Sequence, residues 1–400
     1  MSTLKSINII HPSGSTTNIV NDSSGNITVG NNLTITGSIS GNPNVSGTLV
    51  MGSSFMRNRI INGAMVIDQR NAGASVTPNN TYTLDRWQGQ NSQTSKYTIQ
   101  QSSTAPTGFN NSLLITSSSA YSVVSGDYFF INQPIEGFNT ADLAFGTANA
   151  STVTISFWVR SSLTGTFGGT IRNYAVDRSY AFSYTISAAN TWEKKTVTIA
   201  GDTSGTWVGA TNSVGMYVTW CFGAGSSFLT TANTWTAGNF VGPTGQTSVV
   251  GTNGATFYIT GVQLEVGSVA TPFEREIYTQ TLAKCQRYLP AFSYASGVNP
   301  YMFAGMVTSL SSSTIAWFTC QFPVTTRVPA TGVTVSAASH FAAFLPSTAT
   351  TNATGVTFGG STSTGGNFYL SGLSGLTAGN STLMYMNNSA ALIYFTGCEL

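Results

Sequence analysis

The sequence has very little charge. Asp, Glu, Lys and Arg together make up 7% of the 400 residues, against roughly 25% in an ordinary soluble domain. The deficit is uneven: residues 1–56 carry only Lys5 and Asp22, and residues 291–400 only Arg327 and Glu399. The net charge of +2 comes with no basic stripe, which argues against a nucleic-acid partner. No run of eighteen apolar residues occurs, so no membrane insertion is expected. The opening MSTLKSINIIHPSG lacks the apolar core of a signal peptide, so the expectation is a chain made and folded in a cytoplasm. The four cysteines, Cys221, Cys285, Cys320 and Cys398, show no CxxC spacing and no neighbouring His. They read as small buried hydrophobes rather than a zinc site. His11 and His340 stand apart in the sequence, which disfavours a Ser-His-Asp triad or a His-rich metal site.

Ser, Thr, Asn and Gly fill the place of the charges. Short Val/Ile/Thr/Tyr/Phe runs alternate with Gly, Asn and Ser clusters, the pattern of all-β domains. In residues 1–56 the apolar residues recur in scraps (Ile27, Val29, Leu33, Ile35, Ile39, Val45, Leu49). Each scrap is too short to bury a face alone. Three copies wound together would close a prism with no free sheet edge, so a trimeric β shaft that attaches the chain to its assembly is expected there.

The composition changes at Arg57. Over 57–273, strands with one apolar face follow at regular spacing. VTISFWVR puts Val153, Ile155, Phe157 and Val159 together, KKTVTIAG turns Val197 and Ile199 inward, and VGMYVTWCF aligns Val214, Met216, Val218, Trp220 and Phe222. That alternation predicts an antiparallel β-sandwich, with a hairpin signal at Asn253-Gly254. Residues 274–290 predict a connector helix with Tyr278, Leu282, Cys285 and Leu289 on one face, ended by Pro290 and docked on the sandwich. Residues 291–400 predict a C-terminal β tip built on TIAWFTCQFPV, TGVTVSAAS, GNFYLSGL and AALIYFTGCEL. So few charges leave strand edges unprotected, which closed trimerisation would cure.

NRIINGAMVIDQRNAG, YTLDRWQ, FYITGVQLEVGSVATPFERE and LAKCQRYL occur in that order. Together they resemble a module of bacteriophage tail fibres and other virion surface proteins. The final IYFTGCEL resembles the aromatic-acidic strand that closes many such chains. The resemblance covers 57–290 and, more loosely, 291–400. It implies a carbohydrate-binding-module-like jelly roll, a homotrimer joined to other virion proteins through its N-terminal segment, and binding to a host surface glycan. It also implies assembly in the bacterial host cytoplasm into a virion. Jelly rolls of this type often hold a structural calcium, for which Glu265 and Asp68 are the acids best placed.

Glycan recognition needs aromatic rings beside amides and hydroxyls. Trp220 reads as core, Trp158 as outward-facing, and Trp87 and Trp192 as packing. Trp207 and Trp235 lie in polar, loop-like surroundings, as do Tyr301, Phe303 and Phe368 in the tip, with Tyr294 just past the connector. These six are the candidates, and the tip is favoured because distal loops meet the cell first. No recognisable carboxylate pair flanks aromatic platforms, so the expectation is a binder rather than an enzyme. Asp85 reads as a structural partner for Arg86 or for a backbone turn, and Glu274 and Glu276 as solvated. The competing readings are a capsid head fibre or decoration protein, and a glycan depolymerase.

Overall fold

A computed structural model describes residues 8–10, 17–21, 27–29, 56–294, 306–310, 312–344, 351–380 and 382–400. The chain divides into two units, Met1–Met51 and Gly52–Leu400. In the first, Asn8–Ile10, Thr17–Asn21 and Ile27–Val29 form an antiparallel three-stranded sheet. Ile9, Ile19 and Val29 stand in one cross-strand row, and Ile27 belongs to the same final strand. Leu33, Ile35, Ile39, Val45 and Leu49, on which the shaft expectation also rests, lie outside the described residues.

In its described residues the second unit is all-β apart from one α-helix and a few single 3-10 turns. Its larger part is a jelly-roll sandwich. The seven-stranded sheet runs Thr234–Ala237, Arg178–Ile186, Gly165–Asn173, Val214–Ala224, Tyr128–Glu136, Trp87–Asn91, Thr81–Leu84. The five-stranded sheet runs Glu193–Ile199, Val153–Ser161, Thr256–Val266, Ser112–Ser117, Tyr97–Ser102. Every pairing within these two sheets is antiparallel. The core is the apolar phase read from sequence: Val153, Ile155, Phe157, Val159, Val218, Trp220 and Phe222 are fully enclosed. Phe157 and Trp220 meet edge to face at 5.4 Å, a geometry that favours the ring quadrupoles. At Gly261 the Thr256–Val266 strand bulges; its φ of 60° and the crowding Phe109 ring admit no side chain there. The Asn253-Gly254 turn exists, with Gly254 at φ 72°. It does not join a hairpin, because Thr256–Val266 pairs with Ser112–Ser117 and Val153–Ser161.

The α-helix spans Tyr278–Gln286, shorter than the sequence pattern predicts. Residues Glu274–Ile277 stay outside it because the sandwich holds Glu274 in place. The Glu274 amide donates to Gln263 Oε1 at 2.7 Å, and its carboxylate accepts the Asn58 amide at 2.7 Å. Of the four expected residues Cys285 and Leu289 are buried, Leu282 is half-buried and Tyr278 is exposed; Thr281 and Tyr288 are buried beside them. All four cysteines are free and buried, as the sequence suggests.

In the tip, Ala291–Ser293, Leu392–Thr396 and Gly332–Val335 form one sheet. Met306–Leu310, Ile315–Gln321, Gly365–Ser371 and Gly355–Ser361 form a second, and Thr351–Asn352, Phe341–Phe344 and Leu383–Met386 a third. Four of these strands are the four predicted. Phe318, Phe341, Phe368 and Phe395 fill the core between the sheets.

The joint between sandwich and tip gathers much of the chain's sparse charge. Glu136 closes the Tyr128–Glu136 strand and accepts from Arg287 Nε (3.0 Å), Arg287 Nη2 (2.6 Å) and the Tyr288 hydroxyl (2.7 Å). Glu399 pairs with Arg70 Nη2 at 2.8 Å and with Arg86 Nη1. The Arg86 guanidinium also stacks 3.6 Å from the Tyr288 ring centre. Burial is the largest single influence on Arg86 and would lower its pKa; the Glu399 carboxylate, together with Tyr82, Tyr288 and Cys285, raises it overall. Gly397, at φ 93°, turns the chain so that Cys398–Leu400 reach the sandwich. There Arg327 Nε donates to the Cys398 carbonyl at 2.8 Å and Tyr82 donates to the Leu400 carbonyl at 2.8 Å. Asp85 does not partner Arg86. It accepts the Gln69 amide and Gln69 Nε2, each at 2.7 Å, and burial lifts its pKa to about 6.

Glu399→Gln leaves the buried Arg86 without its anion and is predicted to cost roughly 3–5 kcal/mol in urea unfolding; a loss under about 1 kcal/mol would contradict this role. For Glu136, burial raises the carboxyl pKa, but the Arg287 and Tyr288 hydrogen bonds win and lower it. A depressed folded-state pKa gives stability that is present above the usual carboxylate value, about 4.3, and is lost as pH falls through the folded value. Glu136→Gln is therefore predicted to flatten that acid limb of the stability profile. An unchanged slope in a pH series of melts would refute the assignment.

Candidate functional site

The outward phase of the seven-stranded sheet forms the floor of a cleft of about 480 Å³. Register sets its layout. Gln88, Asn132, Thr219 and Thr170 stand in one row across four strands. Gln90, Phe130, Cys221 and Gly168 form the next row on one side, and Pro134, Tyr217 and Arg172 the row on the other. Directly opposed side chains in such rows lie about 4.5–5.5 Å apart at Cβ, so amides, hydroxyls and rings converge on one surface.

One wall is apolar. Phe130, Cys221 and Val241 are buried together, with Tyr128 and Phe228 packed on them. Tyr128 lies 5.6 Å from Phe130 and meets Phe228 edge-on at 5.1 Å. Burial pushes the Cys221 thiol up to about 11, so it stays a neutral part of that wall.

The opposite side is polar and centred on Arg172. Its guanidinium lies 5.1 Å from the Phe130 ring centre and 5.5 Å from that of Tyr217. Nη1 donates to Asn239 Oδ1 at 2.7 Å and Nη2 to Thr219 Oγ1 at 3.3 Å. Burial pushes its pKa down to about 10, so it is a cation at neutral pH. Asn132 Oδ1, Thr170 Oγ1 and Arg172 Nε are buried with no hydrogen-bond partner. Buried polar atoms are nearly always partnered; of these three residues Asn132 and Arg172 line the cleft, whereas Thr170 is enclosed beneath it. The lining holds no Asp or Glu. Rings beside amides, a hydroxyl and one cation can stack on the CH face of a sugar and hydrogen-bond its hydroxyls.

The residues singled out from sequence fall elsewhere. Phe368 is fully enclosed in the tip core, 5.9 Å from Phe318 and 6.1 Å from Phe395. It is therefore a packing residue and not a platform. Tyr294 is half-buried against the same core. Tyr301 and Phe303 lie outside the described residues. Trp207 and Trp235 pack at 5.6 Å on each other and on Phe145 at 4.9 and 5.9 Å. Trp207 Nε1 donates to Asp202 and to the Ser204 carbonyl, and Trp235 Nε1 to the Ala200 carbonyl at 2.8 Å. The two tryptophans cap the sandwich core and do not meet the cleft. Trp158 is half-buried on the other sheet, and Glu274 and Glu276 are bonded rather than simply solvated.

The expected calcium ligands do not fit that ion. Asp68 accepts the Asn71 and Gly73 amides at 3.0 and 2.7 Å. Glu265 accepts from Gln263 Nε2 at 2.8 Å and from the Thr271 amide and hydroxyl at 2.9 and 2.6 Å. Calcium needs six to eight oxygen ligands, whereas these oxygens face N–H and O–H donors. Among the described residues no three His, Cys, Asp or Glu side chains form a group that could hold a metal. His340 Nδ1 lies 2.8 Å from Ser336 Oγ, so it is not isolated. That hydroxyl also accepts the Leu392 amide at 3.1 Å, which makes the pair a turn contact.

The cleft residues carried one signal in the sequence: the phase opposite the core. In YFFINQPIE, Tyr128, Phe130 and Asn132 alternate with Phe129 and Ile131, and Tyr217 alternates with Met216 and Val218. Phe368→Ala is predicted to lower stability by about 3–5 kcal/mol, read by denaturant unfolding. A near-neutral result would return Phe368 to the surface.

No protein-family model and no curated protein matches the chain. Among solved structures, the enzymatically active domain of bacteriophage CBA120 tailspike protein 4 shares 11% identity over 53% of this chain, at a TM-score of 0.29. The match spans only 22% of that tailspike chain. The family 11 carbohydrate-binding module of Clostridium thermocellum, solved with a β-1,3-1,4-mixed-linked tetrasaccharide, shares 10% over 50% of this chain and 100% of its own, at 0.26. The C-terminal family 22 module of Xyn10B from the same organism shares 14% over 50% of this chain and 98% of its own, at 0.26. Likeness at this level leaves the reading of the cleft to its own geometry.

Proposed function

We propose that the chain is a non-catalytic glycan-binding subunit of a trimeric virion appendage, and that the cleft on the seven-stranded sheet is its sugar site. The observation that carries this reading is the union, on one sheet face, of the Tyr128 and Tyr217 rings with Gln88, Gln90 and Asn132 and their neighbouring unpartnered polar atoms. A sugar ring offers both an apolar CH face and hydroxyl donors, and it would satisfy the orphaned oxygens while covering the rings. The absence of carboxylate side chains from the lining supports binding without hydrolysis, since glycoside cleavage uses two acids across the bond.

The virion role rests on the ordered motifs of residues 57–290 and on the scarcity of charge, which suits a surface buried between copies. In this reading the N-terminal segment attaches to other virion proteins. Three identical clefts on one axis would then raise the avidity of a weak site through effective concentration. A capsid head fibre with the same cleft is the alternative placement; labelling the protein on intact particles separates it from a tail position.

Three outcomes are predicted. Labelled full-length protein binds host cells saturably and blocks adsorption, and Tyr128→Ala or Tyr217→Ala weakens glycan binding about tenfold, roughly 1.4 kcal/mol. Full binding by both variants would remove the cleft from the account. Light scattering gives three chain masses per particle, and a single chain mass would end the trimer reading.

A further inference from the structure

Three arginines are more than nine-tenths buried in the described residues: Arg59, Arg86 and Arg172. Arg59 pairs with Asp142 and Arg86 with Glu399. Arg172 has no acid within ion-pair distance among the described residues, although its surface is 4% exposed. Removing a cation from water without an anion is strongly unfavourable, and the chain tolerates it at this one place, on the polar side of the cleft. The ring contacts of Phe130 and Tyr217 offset part of the penalty. The neutral Asn239 amide oxygen covers Nη1. Asn239 is exposed, on the segment after Gly238 at φ 128°, so its side chain is free to give way. A carboxylate adds to the hydrogen bond a charge attraction that a neutral amide lacks, and its two oxygens match the planar fork of donors.

We propose that the cleft selects sugars bearing a carboxylate, with Arg172 as the residue that reads it. This deepens the glycan-binding reading of the same cleft and rests on it. The acid group replaces Asn239 on the guanidinium. The pyranose ring then lies beside Gln88, Gln90 and Asn132 of the cleft lining, where Asn132 Oδ1 lacks a donor. No covalent step is involved. A sulfate or phosphate ester shares the negative charge but presents a tetrahedral group to the planar fork.

The test uses the full chain with polygalacturonate, the same polymer after carboxyl reduction to neutral galactan, and dextran sulfate. The expected result is binding to polygalacturonate at least about tenfold tighter than to the reduced polymer or to dextran sulfate, weakening as salt rises. Arg172→Gln brings the acidic polymer down to the neutral level, and Arg172→Lys recovers part of the difference. Arg172→Gln should melt no lower than the parent, because it removes an unpaired buried cation; the lysine variant serves as the folded control if it does. Equal binding of the acidic and reduced polymers, both weakened by Tyr217→Ala, overturns the carboxylate inference and leaves the glycan site standing. Equal binding of dextran sulfate overturns it in favour of general anion attraction. Binding to none of the polymers, or binding that Tyr217→Ala leaves intact, removes the cleft reading and this inference with it.

Discussion

The structure of the second unit depends on one carboxylate. Glu399 sits between Arg70 and Arg86, and Arg86 lies entirely within the protein. Among the described residues Glu399 is the one carboxylate within ion-pair distance of it. Buried ion pairs contribute modest net stability because desolvation opposes the Coulomb gain, but losing one member leaves a charge that nothing offsets. The pair therefore acts chiefly as a registration device. The tip docks where Glu399 reaches Arg86, and the connector docks where Glu136 receives Arg287 and Tyr288. Arg86 stacked on Tyr288 ties the two contacts into one network.

Elsewhere amides do the work that ion pairs do in ordinary domains. Gln133 exchanges two hydrogen bonds with the backbone of Ile61, at 2.7 and 2.9 Å. Asn62 bridges the carbonyls of Ile67 and Asp85 and accepts the Ile67 amide. Such neutral contacts carry a smaller desolvation penalty than buried charges and are insensitive to salt and to pH. They leave the sheet faces almost free of charge. Against that background Arg172 is, among the described residues, the one deeply buried guanidinium without an acid partner.

Much of the fold was legible in the sequence because alternation is a local property. The inward phases of Val153–Ser161 and Val214–Ala224 were readable residue by residue, and so were four strands of the tip. What failed were properties of distant pairs. The helix is shortened because Gln263 and Asn58, far away in sequence, hold Glu274 outside it. Arg86 takes Glu399 rather than its neighbour Asp85 because its positive φ of 68° and the last strand's approach set the partner. Polar flanks made Trp207 and Trp235 candidates beside a core-packing reading, and it is packing that holds: each ring closes the core edge with its indole N–H bonded to carbonyl or carboxylate oxygen. The cleft was invisible for the same reason. Tyr128, Tyr217 and Arg172 come from three strands, and only their register places them together.

The most direct test of this account is a crystal structure of the protein with an oligosaccharide of the host surface bound. The account predicts a sugar ring against Tyr128 and Tyr217, with its polar groups on Gln88, Asn132 and Arg172. A sugar held by the tip, with the sheet cleft vacant, would contradict it.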